Sequence, residues 1–199
     1  MKLLVATNNK GKLGELIGLL DGLPLDLLSL SDIGCTVEIE ETGATFAENA
    51  ALKARGYARI AGIPTLADDS GLEVEALGNR PGVFSARYGG ADLGFDKKML
   101  RLLDELEKTG GKNRTARFVC SMAIADAGGE IVHSAEGICD GRIAQKPHGT
   151  GGFGYDPLFI PDGFENTFGE LSNDVKQKIS HRFRAFEQIM PFLRLFYAI

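Results

Sequence analysis

The first twenty residues commit the chain to an α/β architecture. Leu3 to Ala6 is a short unbroken apolar run, the pattern of a buried strand. Thr7, Asn8 and Asn9 follow as capping-type residues, and then Leu13, Leu16, Ile17 and Leu20 recur at i, i+3, i+4 and i+7. That spacing lays one apolar stripe along a helix. Strand, polar loop and helix, in that order, open an α/β unit.

The rest of the chain extends the pattern. Leu25 to Leu30 reads as a second strand, and the acidic run from Glu38 to Gly43 as a loop or strand end. A helix is expected to begin near Thr45, with Phe46, Ala50, Lys53 or Ala54, and Tyr57 on one face, and to end at Gly62 and Pro64. Thr65 to Ala67 reads as a strand. Gly71 to Gly94 is rich in glycine and contains Pro81, so mostly loop is expected there. Phe95, Met99, Leu102, Leu103 and Leu106 mark another helix. Ala116 to Ala125 and Glu130 to Ile138 read as antiparallel strands joined by Asp126-Ala-Gly-Gly129. Gly149 to Asp156 is a second glycine-rich loop. One last helix is expected from about Asn173 toward Leu195, with Val175, Ile179, Phe183, Phe186 and Met190 facing inward. Helix-linked strands beside a hairpin give an α/β fold with a mixed sheet.

Composition narrows the function. The chain has 199 residues, one domain's worth with room for two lobes. Its net charge of −5 does not favour nucleic acid or an anionic membrane, so neither is expected as a partner. A polyanionic substrate would have to meet a local cluster of lysines and arginines, or a metal ion. Cys35, Cys120 and Cys139 are an odd number, widely spaced, with no C-x-x-C pair, which suits a reducing cytosol. No segment reaches the ~20 apolar residues of a spanning helix, and the opening apolar run is too short for a signal sequence. A soluble, cytoplasmic protein is expected.

Four polar clusters could carry chemistry. Thr7-Asn8-Asn9-Lys10-Gly11-Lys12 sits where a strand passes into a helix, a place suited to phosphate. It is not a Walker A loop, and a capped surface helix with solvated lysines is the alternative. Asp68 and Asp69 follow an apolar strand and precede Ser70-Gly71. Taken alone, that stretch reads as a turn; the alternative is a metal or acid/base site at a strand's carboxyl end. With Glu40 and Glu41 the two aspartates form a set of hard oxygen ligands for Mg²⁺ or Mn²⁺. Gly149-Thr-Gly-Gly-Phe-Gly-Tyr-Asp-Pro157 satisfies G-x-G-x-x-G literally, but it lies late in the chain and runs into proline, so it is not a dinucleotide site. It reads better as a loop whose glycines admit a ligand and whose Phe153 and Tyr155 stack on a planar ring. Last, Lys176, Lys178, His181, Arg182 and Arg184 lie among apolar residues, with Ser180-His181-Arg182 mid-helix or at a break. A solvated basic face is the plain reading there. No activated serine elbow surrounds Ser70.

TNNKGKLGEL, EETGATFAENAALKAR, LADDSGLEVEALGNRPGVFSARYGG, GTGGFGYDPLF and SHRFRAF occur in that order. Together they resemble the inosine/xanthosine triphosphate pyrophosphatases, the Ham1-like hydrolases of non-standard purine nucleotides, over Leu3 to Phe186. The resemblance implies an elongated α/β fold of two lobes around a twisted mixed β-sheet, with the active site in the cleft between the lobes. It implies a homodimer, a requirement for Mg²⁺, and hydrolysis of ITP, dITP and XTP to the monophosphate and pyrophosphate. By position, Thr7, Asn8, Asn9, Lys10, Gly11 and Lys12 would cradle the phosphates and Lys53 would reach the same anion. Asp69 would bind Mg²⁺ and act as base, with Asp68 and one of Glu40 or Glu41 completing the metal site. Ser70 would touch the nucleotide. Phe153, Gly154, Tyr155 and Asp156 would line the base pocket, and Lys176, His181 and Arg182 would contact the base and its O6.

Two rival readings differ in residues. A pyrophosphatase for modified pyrimidine nucleotides, of the septum-formation inhibitor type, does not account for SHR or GTGGFGYDP. A non-catalytic nucleotide-binding module needs the lysines and Phe153 but not the acidic cluster.

Overall fold

The computed structural model describes residues 1–199. Its elements are β1 (Lys2–Val5), α1 (Lys10–Leu20), β2 (Asp26–Ser29), α2 (Phe46–Ala61), β3 (Thr65–Val74), β4 (Arg80–Pro81), α3 (Phe95–Lys108), β5 (Thr115–Ala125), β6 (Ile131–Ile143), β7 (Phe159–Pro161), α4 (Asn173–Ile179) and α5 (His181–Tyr197). The strands form one mixed sheet of seven, ordered β2-β1-β3-β5-β6-β7, with β4 paired to β3. β1 runs parallel to β2 and β3, whereas β4 on β3 and β7 on β6 are antiparallel. The α/β class and mixed sheet expected from the sequence are therefore present. The chain divides into two compact units: Met1–Asp69, Cys120–Gly137 and Arg182–Ile199 form the first, and Ser70–Val119 with Ile138–His181 the second.

In the first unit, strand alternation builds two cores. Leu3, Val5 and Leu66 pack with Leu16 and Leu20 of α1 and with Ala185, Phe186 and Ile189 of α5. Leu4, Ala6 and Ala67 pack with Ala50, Ala54, Tyr57 and Ala58 of α2. Successive strand residues face opposite ways, so the short apolar run supplies both layers at once. α2 starts with a capping box in which Thr45 accepts from Glu48 N and Glu48 reaches back to the Thr45 amide. It stops at Gly62 in the left-handed region. The second unit has its own core of Leu72, Val74, Leu102, Leu106, Phe118, Phe159 and Phe168, among others.

Three expectations are corrected. Asp68 and Asp69 form no turn and do not end a strand; they lie inside ten-residue β3. The stretch from Gly71 to Gly94 is not mostly loop, since β3 continues to Val74 and short helical turns at Glu75–Leu77 and Gly82–Arg87 flank β4. The last helix is two helices, because Ser180 is extended (φ −68°, ψ 157°) and separates α4 from α5.

Candidate active site

Alternation along β3 decides where the two aspartates go. Leu66 faces the α1/α5 core and Ala67 the α2 core, so Asp68 is sent toward α1 and α5 and Asp69 toward α2. Their partners agree. Asp68 Oδ2 accepts from Arg182 of α5, 3.2 Å from Nε and 3.0 Å from Nη2. Asp69 Oδ2 accepts from Asn49 Nδ2 of α2 at 3.1 Å, and its Oδ1 lies 3.6 Å from Lys53 Nζ. Lys12, near the start of α1, reaches both, 3.6 Å from Asp68 Oδ2 and 3.8 Å from Asp69 Oδ1. The adjacent like charges are thus separated by the strand and bridged by lysine.

Glu41 completes this cluster through a 2.5 Å contact with Lys53 Nζ, whereas Glu40 is exposed. Arg182, only 1% exposed, also pairs with Glu15. Its guanidinium thus pairs with two carboxylates. Asn9 accepts from the amides of Gly11 (2.9 Å) and Lys12 (3.1 Å), and Thr7 accepts from Asn9 N. The start of α1 is therefore capped by its own loop, with Asn8 and Lys10 exposed beside it.

Charge and burial oppose each other here. Burial alone would raise the Asp68 carboxyl, but Lys12, Arg182 and Lys53 outweigh it and hold Asp68 well below the usual range. Burial raises Asp69, with help from Glu41, against Lys53 and Lys12. Burial would lower Lys53, yet Asp69, Asp68 and Glu41 leave it raised. Neighbouring carboxylates in one strand are thus shifted in opposite directions, Asp68 down and Asp69 up.

The donor set bears on a metal ion. All the acidic groups present are carboxylates, which suit Mg²⁺ or Mn²⁺. Asp68 Oδ1 is buried without a hydrogen-bond partner, an acceptor whose desolvation is left uncompensated by the protein. No three of the His, Cys, Asp and Glu side chains converge at the spacing of a preformed metal cage. Alternation on β3 and the interposed lysines are the reason. The residues fit a hard cation held by one or two carboxylates and completed by phosphate oxygens.

In the second unit, Asp156 is the organising residue. Its Oδ2 accepts from Phe153 N at 2.7 Å and from Lys176 Nζ at 2.5 Å. Lys176 Nζ lies 4.7 Å from the centroid of the half-buried Phe153 ring. Tyr155 does not share this exposure: it is buried against Phe95 and donates to the Ser85 carbonyl. Phe153, not Tyr155, is the aromatic available to a ligand. His181 stacks on Phe118 at 4.7 Å. Gly154 has φ +67°, and Ser70 is half-buried in β3. Lys176 and His181 are buried and Lys178 and Arg184 exposed, so the basic run is not one solvated face.

Gly152 holds this loop closed. Its φ is +69°, and a Cβ there would fall 2.0 Å from Asp156 Oδ2. Gly152→Ala is expected to lower stability by about 2 kcal/mol or more, a fall of at least about 4 °C in a thermal melt. An unchanged melting temperature would show that the Asp156 carboxylate is not pinned.

Two side chains in these networks escaped the sequence reading, Asn49 and Glu15. A buried asparagine in an alanine-rich helix was the available signal for the first, since Asn is a weak helix former without a specific partner. Glu15 looks like any surface glutamate of α1.

The Ham1 family profile matches residues 3–192. A dITP/XTP pyrophosphatase of Geobacter sulfurreducens is 49% identical over 184 residues, 92% of each chain. A Bacillus subtilis protein of the same name is 44% identical over 190 residues, 96% of each. The solved structure of a HAM1 protein from Coxiella burnetii superposes with a TM-score of 0.88 at 38% identity, covering 97% of this chain and 98% of that one. These similarities extend over nearly every element described above, and the chain belongs to the Ham1 family.

Proposed function

We propose that the protein is a Mg²⁺-dependent nucleoside triphosphate pyrophosphatase that hydrolyses ITP, dITP and XTP to the monophosphate and pyrophosphate, clearing them from the nucleotide pool. The observation that carries this reading is the pair of buried carboxylates on β3, both reached by Lys12 and the second also by Lys53. The relatives' names supply the substrate class. The resemblance also carries a homodimer and a cytoplasmic setting; no helix is long and apolar enough to cross a membrane.

The products place the cut in the α–β anhydride bridge, and attack at its α-phosphorus is the route proposed. A monophosphate and pyrophosphate result when a water oxygen joins the α-phosphorus and the bridge to the β-phosphate leaves. Asp69 takes the water's proton. Lys12 and Lys53 exchange their carboxylate partners for phosphate oxygens and offset the charge that grows on the leaving pyrophosphate. Asp69, with one of Asp68 or Glu41, would hold the metal, and phosphate oxygens would complete its shell. When bound, the ion supplies further neutralisation of the triphosphate and orders it for in-line displacement. By the resemblance, Phe153 would offer the purine a stacking face and Lys176 a donor. An O6 acceptor is attracted to that donor, and the 6-amino group of adenine is not. The 2-amino group of guanine must fail for want of an acceptor.

Pyrophosphate release from ITP, dITP, XTP, GTP and ATP, each with Mg²⁺ and with EDTA, tests the proposal. Turnover is expected for the first three only, by a margin of up to about 10⁴-fold, and is abolished by EDTA. Equal turnover of ATP would refute the substrate class. Nucleotide binding without turnover would identify a sensing module instead.

A further inference from the structure

We infer that Asn49 is a positioning residue that sets the orientation of Asp69 and ties it to the Glu41 segment. This rests on the role given to Asp69 above. Asn49 lies in the first turn of α2 and is 0% exposed. Its side chain does nothing for its own helix. Nδ2 donates to Asp69 Oδ2 at 3.1 Å, and Oδ1 accepts from Gly43 N at 2.8 Å. The neighbours fix the amide's orientation. A carboxylate only accepts and a backbone amide only donates, so a flipped carboxamide would meet acceptor with acceptor and donor with donor.

Two consequences follow from that clamp. With Oδ2 held, Asp69 presents Oδ1 toward Lys12 and Lys53, at 3.8 and 3.6 Å. The other arm draws in the backbone two residues after Glu41, and the approach is close: a Cβ on Gly43 would lie 2.7 Å from Asn49 Oδ1 and 2.6 Å from Glu48 Cβ. Glu41 itself pairs with Lys53. One neutral side chain thereby registers both carboxylates that flank Lys53. A carboxamide is the short side chain that carries one acceptor and one donor for this task.

Two variants separate the arms. Asn49→Asp keeps the acceptor for Gly43 but turns an acceptor toward Asp69. Asn49→Ser is too short to hold either. In both, kcat for dITP is expected to fall by about a hundredfold, the usual cost of a displaced reacting group. In Asn49→Ser, which adds no charge, KM stays within about threefold, because the lysines remain. Amide hydrogen exchange at Gly43 stays slow in Asn49→Asp and becomes fast in Asn49→Ser. An asparagine with a merely structural role would lower the melting temperature and leave kcat per folded molecule unchanged. An active parent whose Asn49→Asp variant keeps the parental kcat overturns the orienting role; if that variant does not fold, the kcat of Asn49→Ser decides the same point. Unchanged Gly43 exchange in Asn49→Ser overturns the tether. A parent that releases no pyrophosphate from any purine triphosphate overturns the functional reading, and the positioning role with it.

Discussion

Asp69→Asn lowers kcat for dITP by at least about a thousandfold while the protein stays folded, on the role assigned to this carboxylate. Asparagine has the same shape and still offers an oxygen to Asn49 Nδ2, so the hydrogen bond of 3.1 Å has a replacement. What disappears is the negative charge and the capacity to take a proton from water. Stability should move little, for reasons that oppose each other. Burial raises the Asp69 pKa in the fold. An acid with a raised folded pKa contributes stability below its unfolded value, near ~4, and loses it as pH climbs through the folded value. At neutral pH the charged Asp69 therefore works against the fold, and asparagine relieves that. Against this, Lys12 and Lys53 each lose a carboxylate neighbour. The melting temperature is expected within about 4 °C of the parent. Steady-state pyrophosphate release beside a circular-dichroism melt measures both. A folded variant with more than about a tenth of the parental kcat removes Asp69 as the proton acceptor.

Sequence pattern was sufficient where local and tertiary preferences agree. Leu16 and Leu20 bury one face of α1, Phe46, Ala50, Ala54 and Tyr57 one face of α2, and Met99, Leu102 and Leu106 one face of α3, as their spacing demands, although Ile17 of the α1 stripe is 42% exposed. It failed where tertiary contacts overrule local habit. Asp-Asp-Ser-Gly is turn-forming chemistry, yet the segment is central strand, because partners from α1, α2 and α5 make the carboxylates tolerable there. None of those partners is near in sequence. The sequence left Ser180-His181-Arg182 either mid-helix or at a break, and could not decide for a related reason. Apolar spacing continues from Val175 and Ile179 through Phe183 and Phe186, with no glycine or proline between them to announce it.

The candidate site was legible as residue types and less so as pairings. The residues alone placed Lys12 apart from the acidic group; the resemblance joined Lys12, Lys53, Asp68, Asp69 and one of Glu40 or Glu41 in one site, and the structure brings Lys12, Lys53, Asp68, Asp69 and Glu41 together. It could not choose between Glu40 and Glu41, because that depends on which one faces α2. Arg182 was legible as a cation but not as the counter-ion of Asp68, since the two are 114 residues apart.

That pairing carries the largest expected effect on stability. Asp68→Ala should destabilise the protein by about 3–5 kcal/mol, because it leaves a buried guanidinium without its main partner. Arg182 is 1% exposed, and with Asp68 gone it keeps its pairing with the half-buried Glu15. For a chain of this size the melting temperature should fall by about 6–20 °C. Loss of a carboxylate contact is not enough to explain such a fall; the stranded charge is. The double variant Asp68→Leu with Arg182→Met separates the two causes. It removes both charges, restores apolar volume, and should recover at least about half of the lost stability. It should not recover turnover, because Asp68 Oδ1, the buried oxygen left without a protein partner, goes with the side chain. Scanning calorimetry on the parent, Asp68→Leu, Arg182→Met and the double variant closes the cycle. An Asp68→Ala protein that melts within about 2 °C of the parent would show that Arg182 finds water or Glu15 at no cost, and the ion pair would then be a functional feature with no net part in holding the first unit together.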